Sequence, residues 1–244
     1  YRFISDDHPR RGEADVTEES YLKLNGMDMS TDDNSGGSIA AISGATFSSG
    51  SALSFLERTA LDAQVSSEKI QVIASRVQNQ STYPASQLGN GLKLVAKLIG
   101  GGLSTRIFYV LQGGYDTHTN QTGTQDRLLK ELGDSVKAFY DDMRAQGNSS
   151  RVLLLTFSEF GRRVSENASG GTDHGAAAPM FILTEKLRAG LLGTYPSLAP
   201  KDLFEGDIKF NVDFRSVYSA VLENWLKTKS EPILGHKFNP LPVV

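Results

Sequence analysis

The stretch IFYVLQGGYDTH, residues 107–118, decides the fold prediction. Its apolar first half predicts a buried strand, and the two glycines that follow predict a tight loop. The loop carries a carboxylate at Asp116 and an imidazole at His118. Ligands bind at the carboxyl ends of the strands in open α/β sheets, so the stretch predicts a strand with a functional site at its end.

Other segments extend this strand into a layered fold. A second apolar run, RVLLLTF at 151–157, has no polar alternation, as expected for a central strand covered on both faces. A shorter run at 178–183 predicts a third strand. The order of elements predicts an α/β sandwich with a mainly parallel sheet. Apolar residues recur at helical spacing in four segments, 51–79, 88–99, 125–144 and 213–226.

Composition and charge restrict the class of protein. The 244 residues fit one α/β domain, 1–244, in which residues 1–50 are predicted to be irregular and loop-rich. The net charge of −3 gives no electrostatic case for binding nucleic acid or an anionic membrane. No apolar run approaches the roughly 18 residues of a membrane span. The absence of cysteine excludes thiolate chemistry and cysteine-ligated metals.

A second Asp–His pair, Asp173 and His174, lies in GGTDHG at 170–175, and Glu159 directly follows the strand predicted at 151–157. The carboxyl ends of parallel strands meet at one edge of a sheet. The side chains predicted to form a metal site are therefore Asp116, His118, Glu159, Asp173 and His174.

This ligand set points to a divalent cation. Carboxylates and imidazoles without cysteine suit Zn²⁺, Mn²⁺, Fe²⁺ or Mg²⁺, and the imidazoles favour Zn²⁺ or Mn²⁺ over Mg²⁺ or Ca²⁺. The set is large enough for one ion or two. Arg162 follows Glu159 closely and can neutralise a tetrahedral anion bidentately, so it is a predicted anion-binding residue.

Structural roles are the alternative interpretation of the same residues. Asp116 and Asp173 could stabilise turns, and Glu159 and Arg162 could form an ion pair. The metal interpretation is favoured because two Asp–His pairs in Gly-rich loops occur together with a strand-end glutamate. The sequence has no Walker A, G-x-G-x-x-G or G-x-S-x-G motif in the required context, which argues against the corresponding enzyme classes.

Four ordered stretches resemble the bacterial family catalogued as domain of unknown function (DUF) 1501. The resemblance covers residues 88–244 and does not extend to the first 50 residues. The stretches are GGYDTHTNQ at 113–121, LLLTFSEFGRRVSENASGGTDHGAAAPMF at 153–181, GLLGTYPSL at 190–198 and DFRSVYSAVLENWL at 213–226.

That family looks like a divergent member of the alkaline phosphatase/sulfatase superfamily. The resemblance implies a three-layer αβα sandwich, alkaline phosphatase-like, with a metal site at the strand ends. It also implies that Asp116, His118 and His174 hold one metal ion. Family members look exported, often with a twin-arginine-type leader, so the resemblance implies a periplasmic or extracellular protein.

The chain departs from the superfamily pattern at two places. The second metal of the superfamily takes an Asp–His pair where this chain has Glu159 and Phe160, and Phe160 cannot coordinate. Either the second site is altered or absent, or Asp173 and His174 are themselves that pair. The nucleophile of the superfamily comes from an N-terminal strand with no equivalent in residues 1–50. Because the sequence begins at Tyr1, we expect it to lack an N-terminal portion that holds the nucleophile.

Two functions follow as expectations. The first is a metal-dependent hydrolase of phosphate or sulfate esters, acting on a small-molecule or polymer substrate. The second is a non-catalytic exported binding or scaffold module on the same fold.

Overall fold

The computed structural model describes residues 3–4, 52–188 and 190–244, with side chains described from residue 58 onward. The chain forms two compact units, Tyr1–Leu111 and Gln112–Val244. Apart from residues 3–4, the segment predicted to be irregular, 1–50, lies outside the described residues. The prediction of a single domain stays a prediction.

Two packed helices make up most of the described part of the first unit. Helix α1 spans Ala52–Ser75 and helix α2 spans Gln87–Gly100. Strand β1, Phe3–Ile4, pairs antiparallel with β2, Ile107–Phe108. Helix α2 begins at a serine cap, since Ser86 Oγ accepts a hydrogen bond from the Gly89 N–H at 3.1 Å. Its buried face carries Leu88, Leu92, Val95, Ala96, Leu98 and Ile99, which confirms the helical periodicity predicted there.

The second unit starts with a long amphipathic helix. Helix α3 spans Gln121–Ala145 and buries Leu128, Phe139 and Met143, whereas its lysines and aspartates pair along the exposed face. Helix α4, Phe214–Ala220, continues as a π-helix at Val221–Trp225, and a short helix α5 follows at Glu231–Leu234. A cluster of Ala220, Val243 and Val244 packs against Leu153, Ile182, Leu192, Trp225 and Leu241.

The strands of the second unit form two antiparallel ladders. Strand β3, Leu154–Leu155, pairs with β6, Ile182–Leu183. Strand β4, Gly161–Glu166, pairs with β5, Thr172–Gly175. Both ladders lie within one stretch of chain, because the β4–β5 hairpin occupies the connection between β3 and β6.

The mainly parallel sheet predicted from the sequence is not present among the described residues. Parallel neighbours need a long crossover, usually a helix, and the chain between β3 and β6 forms a hairpin instead. The apolar runs at 107–111 and 151–157 each contribute only two paired residues. Ile107 and Leu111 are 43% and 54% exposed, so the predicted burial of the first strand is also wrong. The mixture of helices and strands is confirmed.

No helix among the described residues combines the length and apolar character that a membrane crossing requires.

Candidate metal centre

Three of the predicted ligands converge at one point on the surface of the second unit. His174 Nε2 lies 2.6 Å from Asp116 Oδ1, and His118 Nε2 lies 2.9 Å from the same oxygen. One donor atom from each of these residues, which we call the triad, lies within 4.8 Å of the others. The side chains are 46% to 63% exposed, so an ion can reach them from solvent.

The loop that carries Asp116 and His118 is tied to the turn of the β4–β5 hairpin. Asn167 Nδ2 donates to the His118 carbonyl at 3.0 Å. The side-chain oxygen of Asn167 accepts from the main-chain N–H of Gly171 at 3.1 Å. One side chain therefore fixes both the turn and the backbone of a triad residue.

Asp173 lies behind His118 rather than beside the other two triad residues. Its Oδ1 is 3.5 Å from His118 Nδ1, on the side of the ring opposite to Asp116. A carboxylate beside the second ring nitrogen can orient an imidazole whose first nitrogen faces a metal. Asp173 is thus placed to orient His118, and it lies outside the triad.

His174 is positioned by the hairpin and by an aromatic ring. It lies in β5 opposite Arg162 of β4. The ring of Phe160 stacks on the imidazole with centroids 3.8 Å apart and an interplanar angle of 7°. Phe160, which cannot coordinate a metal, therefore holds the plane of a residue that can. In the sequence, Phe160 was considered only as a residue that stands where the superfamily has a metal ligand, so this supporting role was missed.

Arg162 holds the triad loop through the main chain. Its guanidinium donates to the carbonyls of Thr117 at 3.2 Å and Thr172 at 2.7 Å, and also to that of Tyr115. The side chain is only 16% exposed, and its Nη2 is 3.9 Å from Asp116 Oδ1. These bonds join the loop after β2 to strand β5, which brings Asp116 and His174 together.

Close backbone approach at glycines makes this arrangement possible. A Cβ atom on Gly171 would lie 2.3 Å from the carbonyl carbon of His118, and one on Gly175 would lie 2.6 Å from that of Arg162. Heavy atoms in contact stand about 3.5–4.0 Å apart, so neither position has room for a side chain. The glycines around the second Asp–His pair therefore have a steric role at this centre.

The ionisation of the Asp116 carboxyl suits metal binding. The hydrogen bond with His174 is the main cause that lowers the pKa of the Asp116 carboxyl, and the nearby His118 acts in the same direction. The carboxylate therefore stays ionised at neutral pH. A ligating carboxyl must be deprotonated to coordinate.

The donor geometry fits an ion after a small displacement. Tetrahedral coordination with bonds of roughly 2.0–2.2 Å separates neighbouring donors by about 3.4 Å. The two N–O distances of 2.6 and 2.9 Å are shorter, as expected for hydrogen bonds that a metal would replace. For these two pairs, a shift of less than about 1 Å by exposed side chains meets this requirement.

The remaining predicted site residues are not members of the triad. Glu159 is exposed and is not among the three residues whose donors converge. Arg162, predicted to bind an anion, directs its guanidinium at three carbonyls instead. Asn167, which the sequence analysis missed, contributes no charged ligand atom. The only sequence signal for it was its place before two glycines, in NASGG at 167–171.

Comparison with known proteins identifies the family. A family model described as "Protein of unknown function (DUF1501)" matches residues 32–234, a range that contains the whole triad. Searches of curated proteins and of solved structures found no match. Because the family model matches well over half of the sequence, this chain belongs to the DUF1501 family.

Proposed function

We propose that this protein is a metal-dependent hydrolase of phosphate or sulfate esters, divergent from the alkaline phosphatase/sulfatase superfamily. The observation that supports it is the convergence of donor atoms from Asp116, His118 and His174 to within 4.8 Å. Imidazole nitrogens with a carboxylate oxygen are ligands that Zn²⁺ and Mn²⁺ accept. The proposal includes one bound ion at the triad and an ester of a small molecule or polymer as substrate.

The triad and two neighbouring side chains would have different roles at the proposed metal site. His118 and His174 would supply neutral nitrogens, and Asp116 a carboxylate oxygen. Asp173 would keep a proton at Nδ1 of His118, and Phe160 would hold the plane of His174. When bound, a divalent ion polarises an ester oxygen and lowers the pKa of a coordinated water.

The superfamily relationship, the αβα sandwich and export to the periplasm or extracellular space belong to the proposal. The described strands are antiparallel, so support for these features comes from the resemblance of the motifs around Asp116 and His174. An experimental structure of the full-length protein would test the sandwich, and cell fractionation would test export.

Metal binding can be measured with a matched pair of histidine variants. Protein purified without chelator is expected to contain Zn²⁺ or Mn²⁺, and calorimetric titration of the stripped protein with Zn²⁺ is expected to show one site. His174→Ala should abolish that site, whereas His236→Ala should retain it, because His236 is exposed and outside the triad. Equal Zn²⁺ affinity in the two variants would sink the proposal.

A non-catalytic binding module is the second candidate. The observation that favours it is Phe160, which stacks on His174 at a place where the superfamily has a metal ligand. A module of this kind would bind the ion without turnover. Hydrolysis of aryl phosphate or aryl sulfate esters by the metal-loaded full-length protein, lost in His174→Ala, would exclude it.

A further inference from the structure

A second site lies in the same unit, on residues that the triad does not use. A cavity of about 530 Å³ is lined by Arg151, Lys186, Arg188, Asn224, Trp225, Lys227 and Val244. Its volume falls in the range of small-molecule sites, about 300–1,000 Å³. Four of its lining side chains are cationic and none is acidic. The cavity is thus locally basic in a chain whose net charge is −3.

Among the described residues, Lys186, Arg188 and Lys227 form no salt bridge with an acidic side chain. Surface cations next to carboxylates are common in this protein, as in the Lys130–Asp134 and Lys137–Asp141 pairs of helix α3. Lys186, Arg188 and Lys227 bring three positive charges to the cavity without such a pairing. Fields of this kind attract anions to a concave surface.

The backbone around the cavity is irregular at the two places that supply its polar and aromatic groups. Asn224 and Trp225 belong to the π-helix at Val221–Trp225, a rare conformation that is frequently found at functional sites. Lys227 follows with a φ of 58°, in the left-handed region that favours glycine. This conformation ends the helix and places Lys227 at the cavity wall.

Trp225 provides an aromatic wall beside the positive charges. Lys186 Nζ lies 5.3 Å from the centroid of the indole ring. The indole also packs on the cluster that contains Val244, so its position is set by the core. The main chain at Arg188 is held as well, since its main-chain N–H donates to the Val243 carbonyl at 3.0 Å.

We propose that this cavity binds a phosphate or sulfate monoester of a ring compound. The tetrahedral anion would lie against Arg188 and Lys227, since guanidinium and ammonium groups make strong charge-assisted bonds to such oxygens. The ring would lie against Trp225, where apolar contact adds to the charge. This site is independent of the proposed metal chemistry, because it shares no residue with the triad.

Trp225 is the only tryptophan of the chain, so its fluorescence reports on this cavity alone. Phenyl phosphate and phenyl sulfate would be titrated into the full chain in the presence of chelator, with phenol as the uncharged control. Both esters are expected to give a saturable change, and phenol is expected to give none. The ester that binds more tightly identifies phosphate or sulfate as the preferred anion. Added NaCl should weaken the response because screening reduces charge attraction.

Two variants test the cations. Arg188→Gln is expected to weaken ester binding about tenfold. Lys227→Gly is expected to do the same while its melting temperature stays equal or rises, because glycine relieves the left-handed backbone. Lys201→Gln, which removes a cation outside the cavity, should bind the esters like the original protein. His174→Ala should also bind them normally, which separates this site from the metal centre.

Several results would overturn the proposal. One is no saturable response to either ester, and another is an equal response to phenol. A third is loss of stability in Arg188→Gln without any ester response, which would mean that the guanidinium of Arg188 has a structural role.

Discussion

Replacing Gly171 by alanine tests whether the hairpin turn sets the position of the metal ligand His118. The added Cβ would lie 2.3 Å from the carbonyl carbon of His118, 2.4 Å from its oxygen and 2.7 Å from the nitrogen of Thr119. All three are backbone atoms, which cannot move aside as a flexible side chain would. The turn and the ligand loop must therefore separate.

The size of that separation follows from the contact distances. A carbon–carbon contact is favourable at about 3.5–4.0 Å, so the two backbones must move apart by about 1 Å or more. A functional constellation tolerates about 0.5 Å of error. The same movement strains the bond from Asn167 Nδ2 to the His118 carbonyl. Overpacking of this kind costs about 1–3 kcal/mol of folding stability.

The expected effect on metal binding is a loss of about 10- to 100-fold in Zn²⁺ affinity, the range seen when the groups that orient metal ligands are altered. Calorimetric titration of chelator-stripped protein measures it. Circular dichroism of the same sample checks that the variant is folded, and a thermal melt gives the change in stability.

Gly113→Ala is the matched control, because a Cβ at Gly113 would meet no atom within 4 Å. It should bind Zn²⁺ within about twofold of the original protein. A folded Gly171→Ala protein with undiminished Zn²⁺ affinity would refute the reasoning, since His118 would then not depend on the hairpin turn. Equal losses in both variants would refute it too, because the control creates no contact.

Three further predictions concern other parts of the second unit. Gly133→Ala in helix α3 should raise the free energy of unfolding by about 0.5–1 kcal/mol in chemical denaturation, because no atom lies within 4 Å of the new methyl group. Asp213 caps helix α4 by accepting from the Arg215 N–H at 2.9 Å, so Asp213→Ala should lower stability by about 1 kcal/mol. The hydrogen bonds from Arg215 lower the pKa of the Asp213 carboxyl, so the ionised group stabilises the fold above a pH of about 4. The stability advantage of the original protein over Asp213→Asn should therefore disappear as the pH falls through the lowered pKa. Arg162→Lys should lower both stability and Zn²⁺ affinity, because a lysine cannot donate to three carbonyls in one plane; unchanged Zn²⁺ affinity in this variant would show that the loop holds its place without the guanidinium.

The helices could be predicted because their apolar residues repeat at a period that no strand shares. Leu88, Leu92, Val95 and Ile99 lie on one face of α2, and all four are buried. The predicted range of α2, 88–99, differs by one residue at each end from the observed helix, Gln87–Gly100. The residue types predicted a larger ligand set that included Glu159 and Asp173, and the family resemblance implied the three residues that converge.

The direction of the strands could not be predicted from their apolar runs. The apolar run RVLLLTF at 151–157 indicates that the segment tends to be buried, but it does not indicate which strand lies beside it. The partner of Leu154–Leu155 turned out to be Ile182–Leu183, running antiparallel. The intervening hairpin was missed because GRRVSE at 161–166 is polar, and its pairing with Thr172–Gly175 depends on the turn at Gly170, where φ is 71°.

The role of Arg162 shows why residue type alone does not assign a site. An arginine next to a metal-ligand motif is equally suited to hold an anionic substrate or to donate to carbonyls, because the same planar set of donors serves both. Here three of the donors reach Tyr115, Thr117 and Thr172, so these three are not available to a phosphate or sulfate group. If the triad hydrolyses an ester, charge on the transferred group must be balanced by the bound ion and by donors other than these three. The metal content of the protein therefore bears on catalysis more directly than the charge of Arg162 does.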